Sequence, residues 1–126
     1  MPVVTLQHVN IRCADAERSR DFYRLLGLTE GARPPFASQG YWMYAGTEPV
    51  VHLVRKEPHE SRRGPGTGEL DHVALGAENL AAIRDLLNQR GIAYREQIVP
   101  RDGSVQLFVS DPDGVLLELN FGSPAA

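Results

Sequence analysis

Apolar and polar residues alternate from the start of the chain. VTLQHVNIR, residues 4–12, has the period of two that predicts a strand. The period then changes. Asp15 is placed to cap a helix over about 16–26 that carries Phe22, Leu25 and Leu26 on one side, and Gly27 stops it. Three strand-like runs follow at about 28–33, 40–46 and 49–55. The second half repeats the plan: a strand over 69–76, Asn79 as a cap, then Leu80, Ile83, Leu86 and Leu87 at helical spacing before Gly91. Runs at 92–99, 104–110 and 114–121 complete it. Each half therefore reads βαβββ, and SDPDG at 110–114 predicts a tight turn that makes the last strand antiparallel to its predecessor.

LQHVNI at 6–11 returns as LDHVAL at 70–75, so His8 and His72 lie 64 residues apart, as do Gly27 and Gly91. The expectation is an α+β fold: two βαβββ modules in tandem forming a curved mixed sheet around a metal site, with helices on the outer face. One domain would cover 1–126, with the first module at about 4–55, a linker at 56–69 and the second module at about 69–121. The linker's GPGTG lacks the Gly-Lys-Ser/Thr of a phosphate loop and reads as a connector.

Composition narrows the partners. The 126 residues suit one domain, and a net charge of −3 makes nucleic acid an unexpected partner. No run approaches the ~18 apolar residues of a membrane span. The single cysteine, Cys13, suits a reducing compartment and reads as a small strand residue, so the expectation is a cytoplasmic protein.

Four polar side chains interrupt apolar strands: His8, His52 in PVVHLV, His72, and Glu118 in LLELN. Alternation puts each opposite its core-facing neighbours. A buried, charged and solitary Glu118 would cost several kcal/mol, so it needs a partner, and a cation is one candidate. Three imidazoles and a carboxylate are donors for one divalent ion, whether Fe, Mn, Zn, Ni or Co. His8 and His72 occupy equivalent first strands, and His52 and Glu118 equivalent last strands. His59, the fourth histidine, falls in the linker.

HVNIRCADAERSRDFYRLLGL, 8–28, together with LDHVAL and LFVSDPDGVLLEL, 107–119, resembles the vicinal oxygen chelate superfamily of glyoxalase I, extradiol dioxygenases, fosfomycin-resistance thiol transferases and bleomycin-binding proteins. Cys13 departs from the Ile or Val usual at its place. The resemblance implies His8, His72 and Glu118 as metal ligands. His52 falls where glyoxalase I carries a further ligand, usually glutamate, and is read as a fourth ligand, with a proton shuttle as the alternative. His52 and Glu118 are then the candidate catalytic groups. One glutamate with three neutral histidines leaves a divalent site at about +1, which favours anionic chelates.

Asn10, Gln106, Phe108 and Asn120 are expected to share the ligand face and line a substrate pocket, with core packing an equal alternative for Phe108. Tyr41, Trp42 and Tyr44 either cover a sheet edge or subunit interface or form an aromatic wall. No glutathione-binding arginine is assigned among Arg12, Arg33 and Arg101. The function implied is a divalent-metal-dependent enzyme with glyoxalase-like isomerase or lyase chemistry on a small oxygen-rich, anionic substrate, acting as a homodimer. An Fe(II) extradiol-type dioxygenase is one alternative, although Phe108 stands where that group places tyrosine. A thiol transferase or a metal-free antibiotic-binding resistance protein is another.

Overall fold

Asp15 starts the first helix as its side chain predicts, its Oδ1 accepting from the Arg18 N–H at 3.0 Å. The computed structural model describes residues 5–57, 70, 72–100 and 102–122. His59, Arg62, Arg63, GPGTG and Arg101 lie outside the described residues. The chain forms two compact units, Met1–Ser61 and Arg62–Ala126, divided inside the expected linker.

The first unit contains β1 (Val9–Cys13), α1 (Ala16–Leu25), β2 (Thr29–Gly31), β3 (Gly40–Ala45) and β4 (Glu48–Arg55). Its strands lie in the order β1-β4-β3-β2, with β1 parallel to β4 and the other pairs antiparallel. Helix α1 packs on β2, β3 and β4. Ile11, Cys13, Phe22, Tyr23, Met43, Val51 and Leu53 are buried, and complete burial of a side chain such as Leu53 contributes about 1.5–3 kcal/mol. Gly27 ends the helix at φ +107°, and a Cβ on Gly40 would collide with the Leu53 carbonyl of the neighbouring strand.

The second unit contains β5 (Val73–Ala77), α2 (Leu80–Gln89), β6 (Arg95–Ile98), β7 (Val105–Ser110) and β8 (Leu116–Phe121). Its order, β5-β8-β7-β6, and its one parallel pair, β5 with β8, match the first unit. Ile83 and Leu87 of α2, Val105, Leu107 and Val109 of β7, and Leu117, Leu119 and Phe121 of β8 are buried. Arg84 grips Glu96 with two bonds of 2.7 Å, tying α2 to β6. Asp111 builds the predicted turn, its Oδ1 accepting from the N–H groups of Asp113 (2.9 Å) and Val115 (2.8 Å).

The fold is α+β, each module closing a four-stranded mixed sheet of its own. Several expected limits shift. Strand β1 begins at Val9, so His8 flanks the strand instead of lying within it, and His72 flanks β5 in the same way. Beyond the Val9–Val51 pair the neighbouring strand reaches Pro49, which has no N–H to offer a ladder. Pro34 and Pro35 follow the early end of β2. Asn79 stands at the N-cap of α2 but in the left-handed region, φ +65°, and makes no side-chain cap bond; asparagine tolerates that conformation, so it shapes the chain there instead of capping it.

Candidate metal centre

The register of the two parallel pairs is the same. Asn10 lies opposite His52, and Ala74 opposite Glu118, so in each unit the first-strand histidine precedes the partner of the last-strand residue by two positions. Neighbouring residues in register share a sheet face, and residues two apart along a strand return to it. The repeat seen in the sequence is thus a repeat in space within each unit: His8 goes with His52, and His72 with Glu118.

In the second unit, His72 Nε2 lies 3.5 Å from Glu118 Oε1. An imidazole nitrogen and a carboxylate oxygen that both bind one zinc-like ion at ordinary lengths stand about 2.9–3.5 Å apart, so this spacing falls at the upper end for adjacent ligands. The other oxygen of the carboxylate is held: Asn120 Nδ2 donates to Glu118 Oε2 at 2.8 Å, and Gln106 Nε2 donates to Asn120 Oδ1 at 3.1 Å. A chain of amides therefore orients the carboxylate and leaves Oε1 on the imidazole side. Such support from outside the ligand shell is what fixes the aim of a metal-binding carboxylate. Phe108, opposite Glu118 in register, meets the His72 ring edge to face with centroids 6.3 Å apart. It is half-buried on the face opposite Leu107 and Val109, so it belongs to the candidate site.

The first unit is built differently. His52 is sandwiched, with the His8 ring 3.8 Å away on one contact and Trp42, its register partner on β3, 4.0 Å away on another, both nearly parallel to it. Only 9% of His52 is exposed. Its Nε2 lies 3.0 Å from the Pro49 carbonyl, which can only accept, so Nε2 carries the proton and Nδ1 keeps the lone pair. Burial first, and then the neighbouring His8 ring and Arg33, push the His52 pKa below its ordinary value, against the Pro49 bond that raises it. The ring is neutral at pH 7. An imidazole binds a metal along a lone pair in its own plane, and two stacked planes do not meet. The His8 and His52 rings as stacked therefore cannot both aim at one ion, which departs from the expectation of both as ligands.

Asn10 is exposed and lies beside His52 in register. Gln106, Phe108 and Asn120 are gathered on the Glu118 face. Among the described residues, neither unit assembles three or more His, Cys, Asp or Glu side chains in metal-holding geometry. Trp42 serves as a wall of the His52 site, Tyr44 Oη donates to the Ala32 carbonyl at 2.6 Å, and Tyr41 lies under the Arg20 guanidinium at 4.8 Å. Cys13 is fully buried. The ring stack escaped sequence reasoning because it depends on the pairing of β3 with β4, although Trp42 and Phe108 occupy equivalent places in the two modules.

Residues 5–119 match the family model of the Glyoxalase/Bleomycin resistance protein/Dioxygenase superfamily. The chain is 27% identical over 122 residues to Glyoxylase I 4 of Arabidopsis thaliana, covering 93% of this chain and 70% of that one. Among solved structures, a glyoxylase/bleomycin resistance protein/dioxygenase domain from Frankia sp. EAN1pec superposes with a TM-score of 0.76 at 19% identity, covering 98% of this chain and 96% of the other. The genomically encoded fosfomycin resistance protein FosX of Listeria monocytogenes superposes with a TM-score of 0.70 at 13% identity, over 98% and 97% of the two chains. With the doubled βαβββ fold, the repeated register and the family model covering most of its length, the chain belongs to the glyoxalase/bleomycin resistance protein/dioxygenase superfamily.

Proposed function

We propose that the protein is a divalent-metal-dependent enzyme with glyoxalase-like isomerase or lyase chemistry on a small, oxygen-rich, anionic substrate. The observation that carries this reading is the His72–Glu118 pair, spaced as adjacent ligands and held by Asn120 and Gln106. His8 is the third ligand the repeat suggests. An ion bound by this set, Fe, Mn, Zn, Ni or Co, supplies a Lewis acid able to polarise neighbouring substrate oxygens. His52 then moves the proton. Its Nδ1 holds a lone pair, the ring is neutral at pH 7, and its place between two rings keeps it in one orientation. Asn120 keeps Glu118 aimed by donating to Oε2.

Phe108 has no hydroxyl to take or give a proton at the place where extradiol enzymes put tyrosine, which favours isomerase or lyase chemistry over ring cleavage. A homodimer and a cytoplasmic setting complete the reading, on the resemblance and on the single buried Cys13. The test is turnover of a 2-oxoaldehyde–thiol hemiacetal by metal-reconstituted protein, beside oxygen uptake with catechols. Metal-dependent isomerisation, lost in Glu118→Ala and reduced in His52→Gln, is the expected result. Oxygen uptake without isomerisation would replace this reading with that of a dioxygenase.

A further inference from the structure

Across the second sheet, three strands in register set Glu118, Phe108 and Arg95 in one row on one face. The next row on that face is Asn120, Gln106 and Gln97. Two strand spacings separate the ends of a row, about 10 Å at the Cα atoms, but Arg95 does not extend away from the metal donors. Its guanidinium carbon lies 4.3 Å from the centroid of the Phe108 ring, the same ring that meets His72. The aromatic face fixes a planar cation at the edge of the candidate site.

Among the described residues nothing neutralises that cation. Arg95 Nη1 donates to the neutral Gln97 Oε1 at 3.2 Å, and no carboxylate among the described residues pairs with the guanidinium. Nε and Nη2 have no partner among the described residues. The contrast is with Arg84, whose equivalent donors are both spent on Glu96. The first module has no counterpart either, since Gly31 stands opposite Trp42 where Arg95 stands opposite Phe108.

We propose that Arg95 is a specificity-determining residue that binds a second oxyanion on the substrate, a carboxylate or a phosphonate, while the substrate's chelating oxygens lie at His72 and Glu118. This rests on the metal reading above and adds the shape of the substrate: a short molecule with vicinal oxygens at one end and an anionic group at the other. The forked donors of arginine suit a planar carboxylate or a tetrahedral phosphonate. The Gln97 carbonyl, holding one edge of the fork, limits its rotation.

The probes are 2-oxoglutarate, phosphonopyruvate and pyruvate, titrated calorimetrically into metal-loaded wild-type, Arg95→Ala and Arg95→Lys proteins. Loss of a charged hydrogen bond predicts at least about tenfold weaker binding of the two probes with a distal anion in Arg95→Ala, partial recovery in Arg95→Lys, and no change for pyruvate. Whichever of the two anionic probes loses more identifies the native group as carboxylate or phosphonate. Equal binding of all three probes by wild type and Arg95→Ala would overturn the proposal, as would an equal loss for pyruvate. Metal content, measured on the same samples, separates the two claims. If no ion binds, the metal reading fails on its own, and Arg95 is then tested in metal-free protein by the shift of its Nε–H resonance with malonate and with inorganic phosphate. No shift with either would reject the anion site.

Discussion

At the scale of single residues the clearest anomaly is His52, a titratable ring stacked between two others. Its lowered pKa has a direction that can be checked. The unfolded histidine titrates near 6.5 and the folded one below it. The neutral ring's contribution to stability is therefore complete above 6.5 and is lost as pH falls through the folded value. An NMR titration of the metal-free protein should place the His52 imidazole below 6.5, and Trp42→Ala, by admitting water, should move it back up. A wild-type ring titrating above 6.5 would remove the case for a neutral proton carrier. Asp111 is the second informative residue, 5% exposed and accepting from two N–H groups. Asp111→Ala leaves those donors without it and should cost about 1–3 kcal/mol in denaturant unfolding. A cost near zero would mean the turn forms without it.

At the scale of elements, much was legible before the structure. Asp15 and Gly27 bracket α1 because one supplies an acceptor and the other takes φ +107°, both properties of single side chains. The expected limits that moved depend on partners instead. His8 flanks its strand because a strand extends only as far as its neighbour can pair, and Pro49 lies beyond the first pair of β1. Asn79 was misread because its side chain suits a cap and a left-handed turn equally well. Helix α2 is held mainly by Ile83 and Leu87, of which Leu87 is fully buried. Leu87→Ala should therefore cost about 2–5 kcal/mol in thermal or denaturant unfolding. A loss below 1 kcal/mol, against ~2 for the mildest leucine truncations, would mean that α2 contributes little to its unit.

At the scale of the whole molecule, the repeat was the strongest signal in the sequence, since His8 and His72, like Gly27 and Gly91, recur at one interval. It pointed to the candidate donor residues and showed the doubled module. It did not reveal what surrounds them. The amide chain from Gln106 through Asn120 to Glu118 follows from the register of β7 with β8, and the position of Arg95 over Phe108 from the register of β6 with β7, neither of which composition sets. The two modules have also diverged. One keeps a carboxylate beside its histidine, while the other has buried a second histidine under tryptophan. The same backbone thus offers a histidine–carboxylate pair in one unit and a protected neutral imidazole in the other.

The central claim is that His72 and Glu118 hold a divalent ion, and the most direct measurement is elemental analysis of freshly purified protein, in wild type and in the His72→Ala and Glu118→Ala variants. With three ligands of this kind the wild type should carry about one ion per chain through dialysis, and each variant should lose most of it while keeping the wild-type circular dichroism spectrum. A wild type that holds no stoichiometric ion even after soaking with Fe, Mn, Zn, Ni or Co, or variants that retain it undiminished, would contradict the account.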